Sequence, residues 1–262
     1  MLLTTMTAQT MAHAPYTAPI QFWVEGGHTA ILAGFAEKPF DSEVAIRGFE
    51  FQVVNPKHEV KALELSNVPS MSFASVETNI DGTYQILGQR EAPIQYAKHN
   101  KKWMRVLDTK GAPVPALTER NYLTAAELTA KTEQISVTRF DEVLSYFTKT
   151  SISALQPLND ANLHIQYSIH PNLIKANQSL NLLVKTKGKA AQGFKIQIEK
   201  RLSQQTETVT EFETYTDQSG QAELTFPEAG QYIVTITSPD EDGKHKPQPE
   251  TYRSIISLNI AP

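Results

Sequence analysis

The most constraining feature of the chain is the rhythm of its turns. From residue 18 onward, short alternating apolar segments are cut by Gly, Pro, Asn and Asp at intervals of about 8–12 residues. The sharpest instance is "TDQSGQAELTFPEAGQYIVTI". There Asp217 and Gly220 make one turn and "PEAG" a second, with Leu224, Phe226, Tyr232, Val234 and Ile236 expected to point inward. The same alternation runs through "PIQFWVE", "TAILAGFAE", "FEFQVVN", "SFASVET" and "TYQILGQ", and later through "NLHIQYSIH", "SLNLLVKT" and "FKIQIEK". Such spacing belongs to antiparallel sandwiches and barrels.

Between the two series lies a different stretch. "DTKGAPVPALTE" reads as a linker, because Pro and Gly interrupt any regular element. Thr124 and Glu127 fit a capping box, and Phe140, Val143, Leu144 and Phe147 fall at helical spacing. Residues 120–150 are therefore expected to hold the chain's helices, with Asp141 and Glu142 on a helix surface. The expected fold is mostly β: two β-sandwich domains, immunoglobulin-like or transthyretin-like, joined by a short helical connector. The partition is 1–12 as a remnant signal peptide, 13–117 as the first sandwich, 118–157 as the connector and 158–262 as the second sandwich. The aromatics, Trp23 and Trp103 included, are expected in the core, with loop residue Phe40 the exception.

Composition narrows the function. The 262 residues carry a net charge of −4 with Lys and Arg scattered among acids, which argues against nucleic acid as partner. No apolar run approaches the roughly 20 residues of a membrane span. The chain has no cysteine, which removes disulfides, thiolate metal sites and a cysteine nucleophile. There is no G-x-S-x-G elbow, no H-E-x-x-H and no phosphate-binding glycine loop, so no enzyme is expected. "MLLTTMTAQTMA" looks like the tail of a signal peptide, with Thr10 and Ala12 placed for cleavage before His13. Export to the periplasm follows from that reading.

The order of parts resembles a bacterial periplasmic family of unknown function often labelled as the periplasmic component of cobalt or nickel uptake. The resemblance rests on "AHAPYTAP", "GFAEKPFDSEVAIRGFEFQVVNP", "DGTYQILGQ", "TRFDEVLSYFTKTSI", "LHIQYSIHPNLIKANQSLNLLVKTKGKAAQGFKIQI" and the "TDQSG…AGQY" stretch. It implies a mature chain beginning at His13 and a non-enzymatic metal-handling role, with an envelope transporter or other envelope protein as partner.

A mature N-terminal His13 would offer an amino nitrogen and an imidazole to nickel, cobalt or copper; tetragonal nitrogen coordination suits Cu(II) and Ni(II). A second imidazole would strengthen the site, and His99 and His245 are the further candidates. His28 and His58 read as solvated turn residues. His164 and His170 share strand parity, face away from the core and, on an extended chain, lie about 20 Å apart, too far to share an ion. The alternatives are a metal-free interaction module that docks through its sheet edges, or a carbohydrate-binding accessory sandwich.

Overall fold

The computed structural model describes residues 14–109, 111, 113–159, 161–201, 211–239 and 246–262. The expected signal-peptide remnant, His13 and His245 lie outside the described residues. Among those described there is no α-helix. The regular structure is strand, with three short 3-10 turns at Leu117–Glu119, Ala125–Glu127 and Pro171–Leu173.

The chain divides into two compact units. Of the described residues, one holds 91–139 and 246–251, and the other holds 14–90, 140–239 and 252–262. The smaller unit packs Ile94, Tyr96, Trp103 and Val137 as its own core.

The larger unit is built on one extended sheet with a separate sheet on each face. In the first face sheet, Ala14–Pro19 pairs antiparallel with His28–Ala36, which pairs in turn with Met71–Glu77. In the second, Leu163–Tyr167 and Gln221–Thr225 flank Ser179–Thr186. The shared sheet includes Gln134–Lys149, Glu250–Ile260, Gly230–Thr237 and Lys195–Lys200 in that order, ending at Glu211–Tyr215.

Adjacent residues on the shared strands serve opposite cores. Ile233 and Ile255 pack with Tyr16, Ile31 and Val76 of the first face sheet. Tyr232, Val234 and Ile256 pack with Leu163, Leu180 and Leu224 of the second. A period of two on a sheet covered on both sides sends alternate side chains into two apolar layers.

That arrangement explains why the expected helical connector is absent. Residues 134–149 form a single strand, and 141–148 are buried without interruption. Val143 and Phe147 enter the first core, while Leu144 and Tyr146 enter the second. A strand apolar on both faces shows no alternation, and its continuous run coincides with helical spacing. The Thr124–Glu127 capping box does form, but it closes only the 3-10 turn Ala125–Glu127. Asp141 and Glu142 are fully buried strand residues, not helix-surface ones. Trp23 is also displaced from the expected core: its neighbours Phe22 and Val24 point inward, leaving the indole 47% exposed.

The turn at Asp217 follows the sequence expectation closely. The Asp217 carboxylate accepts from the backbone N–H of Ser219 and of Gln221, both at 2.8 Å. These bonds hold its pKa below the ordinary carboxylate value. Gly220 adopts a φ of +78°, and a Cβ there would meet the Val184 carbonyl oxygen at 2.4 Å. Only glycine fits both the backbone angle and the approach.

Candidate functional site

The three expected metal residues are not brought together among the described positions. His99 closes the hairpin between Gly82–His99 and Lys102–Leu107, opposite Lys102. Asn100 and Lys101 both have positive φ there, as a tight two-residue hairpin requires. The His99 Nε2 lies 2.9 Å from the Asn100 amide nitrogen, and Lys98, Lys101 and Lys102 surround it in sequence. No group of three or more His, Cys, Asp or Glu side chains suited to a metal occurs among the described residues. His28 and His58 are exposed as expected, His58 in a turn and His28 as the first residue of the strand His28–Ala36, opposite Glu77.

His164 keeps the expected parity, alternating with Leu163, Ile165 and Tyr167 of the core, whereas His170 lies beyond the strand. Both line one cavity of about 620 Å³ inside the larger unit. The strand they were placed on ends at Tyr167. Beyond it the chain bends through Ser168 into the 3-10 turn Pro171–Leu173, so the extended spacing does not apply.

The cavity is framed by the shared strand Gln134–Lys149, the segment 155–158, the strand Leu163–Tyr167 and Lys185 of Ser179–Thr186. Two tyrosines meet in its wall. Tyr146 and Tyr167 are set edge to face, with ring centroids 5.8 Å apart and hydroxyl oxygens 3.1 Å apart. Burial pushes Tyr146 up to about 12 and Tyr167 well above its ordinary value. Both phenols therefore keep their protons at any physiological pH.

Glu142 anchors this wall from behind. Its carboxylate accepts from Asn162 N and Nδ2, from Leu163 N at 3.2 Å and from Gln89 Nε2 at 2.9 Å. The bonds fasten the start of Leu163–Tyr167 to the shared strand. Desolvation raises the Glu142 pKa, and the four donors oppose that rise.

His170 sits in a second polar network at the cavity's edge. Its Nδ1 accepts from Asn172 N at 3.2 Å, which assigns the ring proton to Nε2. Nε2 then donates to Thr83 Oγ1 at 3.2 Å, and Thr83 Oγ1 also lies 3.1 Å from Thr148 Oγ1. Burial lowers the His170 pKa from its ordinary 6.5, against a hydrogen bond with the Ser153 backbone.

The consequence for stability has a definite sign. As pH falls through about 6.5 the unfolded imidazole takes up its proton, while the folded one resists. Stability is full above that value and is lost as pH falls toward the folded pKa. The urea midpoint is expected to drop between pH 7.5 and 5.5, and His170→Gln to flatten that drop. An equal drop in the variant would remove His170 as the cause.

Sequence reasoning missed Tyr146, Tyr167, His170 and Lys185 as members of one site. The available signal was the cross-strand pair His164–Lys185, which follows from the hairpin register. The Tyr146 contact depends on long-range packing and leaves no local pattern.

The fold and pocket define a mostly β, multi-sheet protein with a polar-edged pocket whose rim residues Pro157 and Gln166 are exposed. The chain belongs to the DUF4198 family, described as a domain of unknown function, whose model matches residues 10–240. No curated protein matches it. It is similar to the D0–D1 domain of intimin at 11% identity, covering 93% of this chain and 97% of that one, with a TM-score of 0.22. It is also similar to alpha-2-macroglobulin of E. coli, at 8% identity, 97% and 14% coverage and a TM-score of 0.24. A DUF4785 family protein from Legionella pneumophila matches at 8% identity, 84% and 51% coverage and a TM-score of 0.24. Among the described residues no helix is long and apolar enough to cross a membrane.

Proposed function

We propose that the protein is a non-enzymatic, exported metal-handling protein of the bacterial envelope that takes nickel, cobalt or copper at a mature N-terminal His13. The resemblance to a metal-uptake family and the cleavage pattern at Thr10–Ala12 support this reading. The observation that carries it is the position of Ala14. It is the first residue of a strand that pairs along its whole length with His28–Ala36, and Pro15 to Pro19 are all buried. Cleavage before His13 would place the amine and imidazole one residue from a rigid support, which lowers the ordering cost of chelation. His99 and His245 remain the other candidate donors. An envelope transporter is the expected partner.

The test is calorimetric titration of Cu(II) and Ni(II) into protein prepared to begin at His13. Tight binding by that form is expected. Acetylation of the His13 amine, or His13→Ala, should weaken it at least a hundredfold, because either change destroys the six-membered amine–imidazole chelate. Equal affinity with a blocked terminus would refute the terminal site.

A second reading is a metal-free interaction module. It is favoured by the strand Glu211–Tyr215, which among the described residues ends its sheet and leaves Phe212 43% and Tyr215 56% exposed. An unpaired strand edge with apolar side chains is a template for strand addition. Absence of metal uptake by the native terminus would favour this reading.

A further inference from the structure

We propose that His170 is a pH-operated latch: a proton taken up at its Nδ1 opens the 3-10 turn Pro171–Leu173, which ties Phe22 to Tyr146, without unfolding the chain. The device is independent of the terminal metal.

Three observations carry the proposal. The first is a proton count on the imidazole. Thr83 Oγ1 accepts from Ser153 N at 3.3 Å and lies 3.2 Å from His170 Nε2 and 3.1 Å from Thr148 Oγ1. A hydroxyl oxygen accepts two bonds and donates one, so it is filled when Nε2 carries the ring proton and Thr83 donates to Thr148. Nδ1 is then a bare acceptor, and it receives Asn172 N–H at 3.2 Å. A second proton leaves the Nε2 side as it is. At Nδ1 it faces an N–H, so the bond that caps the turn is lost.

The second is what the turn holds. Asn172 is 6% exposed, and its Nδ2 donates to the carbonyls of Phe22 and Tyr146, both at 3.2 Å. Leu173 N closes the turn on the His170 carbonyl at 2.8 Å. Among the described residues the buried Asn172 Oδ1 has no hydrogen-bond partner. It is an acceptor of the kind a protonated Nδ1 needs. Turning the amide to present that oxygen withdraws Nδ2 from at least one of the two carbonyls, so the charged ring and the closed turn exclude each other.

The third is the charge around the ring. Burial opposes its protonation, and a hydrogen bond with the Ser153 backbone favours it. Tyr146 and Tyr167 are kept neutral by burial. His164 and Lys185 pair across their hairpin on the face opposite Tyr167. Lys149, beside Thr148, donates to the Thr78 carbonyl. Glu25, Asp81 and Lys175 on the flanking segments are exposed. Glu142 also has a raised pKa, but its bonds go to Gln89, Asn162 and Leu163. Its titration would loosen 162–163 rather than the turn.

The test is amide hydrogen exchange on the full chain at pH 7.5 and about pH 5, corrected for intrinsic rates. In the open turn the imidazole takes its proton near 6.5, while in the closed turn it resists. Protection of the Asn172 and Leu173 amides is therefore expected to fall about tenfold between the two conditions. At both, it should stay at least about tenfold below that of the core strand amides of Ile233–Ile236, which marks a local opening. His170→Gln keeps one donor and one acceptor but does not titrate, and should remove the fall. His164→Gln should retain it.

A measurement on the unaltered chain covers the case in which His170→Gln fails to fold. Proton–nitrogen correlation spectra of the ring should show the Nε2–H form at pH 7.5, and the Asn172 and Leu173 amide signals should move with the same midpoint as the ring. The proposal is overturned if protection of these amides is unchanged with pH, if it equals that of the core strand, or if it falls as much in folded His170→Gln. A loss confined to Asn162 and Leu163 would assign the response to Glu142 and overturn it too, as would a ring proton on Nδ1 at pH 7.5.

Discussion

Replacing Asp141 with alanine is expected to destabilise the protein by about 3–5 kcal/mol. The carboxylate is fully buried and holds two arginines at once: Arg90 Nη2 at 2.5 Å from one oxygen and Arg253 Nε at 2.8 Å from the other. Arg90 is also fixed by stacking, its guanidinium 4.9 Å from the Phe49 ring centre and 5.7 Å from that of Phe35. The side chains of Arg90 and Arg253 are only 23% and 20% exposed, so neither guanidinium can regain full hydration once the carboxylate is gone. The loss is therefore chiefly the penalty of two uncompensated cations, not the attraction itself. Asp141→Asn keeps the volume and one acceptor and should cost less than alanine. Urea unfolding monitored by far-UV circular dichroism measures both. A loss below 1 kcal/mol for alanine would mean that water reaches both guanidiniums freely.

Phe147→Ala is the second large effect, also expected to cost about 3–5 kcal/mol. The ring is completely buried and lies flat on Tyr84, with centroids 4.9 Å apart and planes 5° apart. Truncation removes the transfer energy of the ring and opens a hole that Tyr84, itself tied through its hydroxyl to Ile80, cannot collapse into. Phe147→Leu should cost roughly half as much. The position also tests the shared-strand geometry. Phe147 and Tyr146 are consecutive, so one faces the first core and the other the second. In the folded fraction Phe147→Ala should leave the environment of Tyr146 unchanged, which near-ultraviolet difference spectra of the tyrosines report. A change in the Tyr146–Tyr167 signal as large as that of Tyr84 would contradict the two-faced strand.

The parts that were legible share a property. The Asp217–Gly220 turn and the inward Tyr232, Val234 and Ile236 are specified by contacts within about 20 residues, and one sheet face is distinguished from the other by polarity. The residues 134–149 are different. Their expected helicity came from a run of apolar positions, and a run carries no period when both faces are covered. The connector could not be recognised as a strand without knowing that two sheets would pack against it. The same missing knowledge hid Asp141 and Glu142. Two adjacent acids in an apolar run look solvent-facing until Arg90, Arg253, Gln89 and Asn162 are seen to converge on them.

The histidines show the limit most clearly. Local sequence correctly left His28 and His58 exposed, although His28 begins a strand and only His58 lies in a turn, and the role proposed for His13 depends only on cleavage and the chemistry of an amine beside an imidazole. It separated His164 from His170 by assuming an extended chain, whereas the bend after Tyr167 returns both to one cavity. By itself the sequence determined the β class, the turns and the one-sided strands, because those follow from nearest-neighbour backbone preference and alternating polarity. The tertiary structure alone decided which strand serves two cores, where the buried charges find partners and which tyrosines meet. Those outcomes are set by contacts between residues 20 to more than 100 positions apart, as in Tyr146–Tyr167 and Asp141–Arg253. No local preference encodes such contacts.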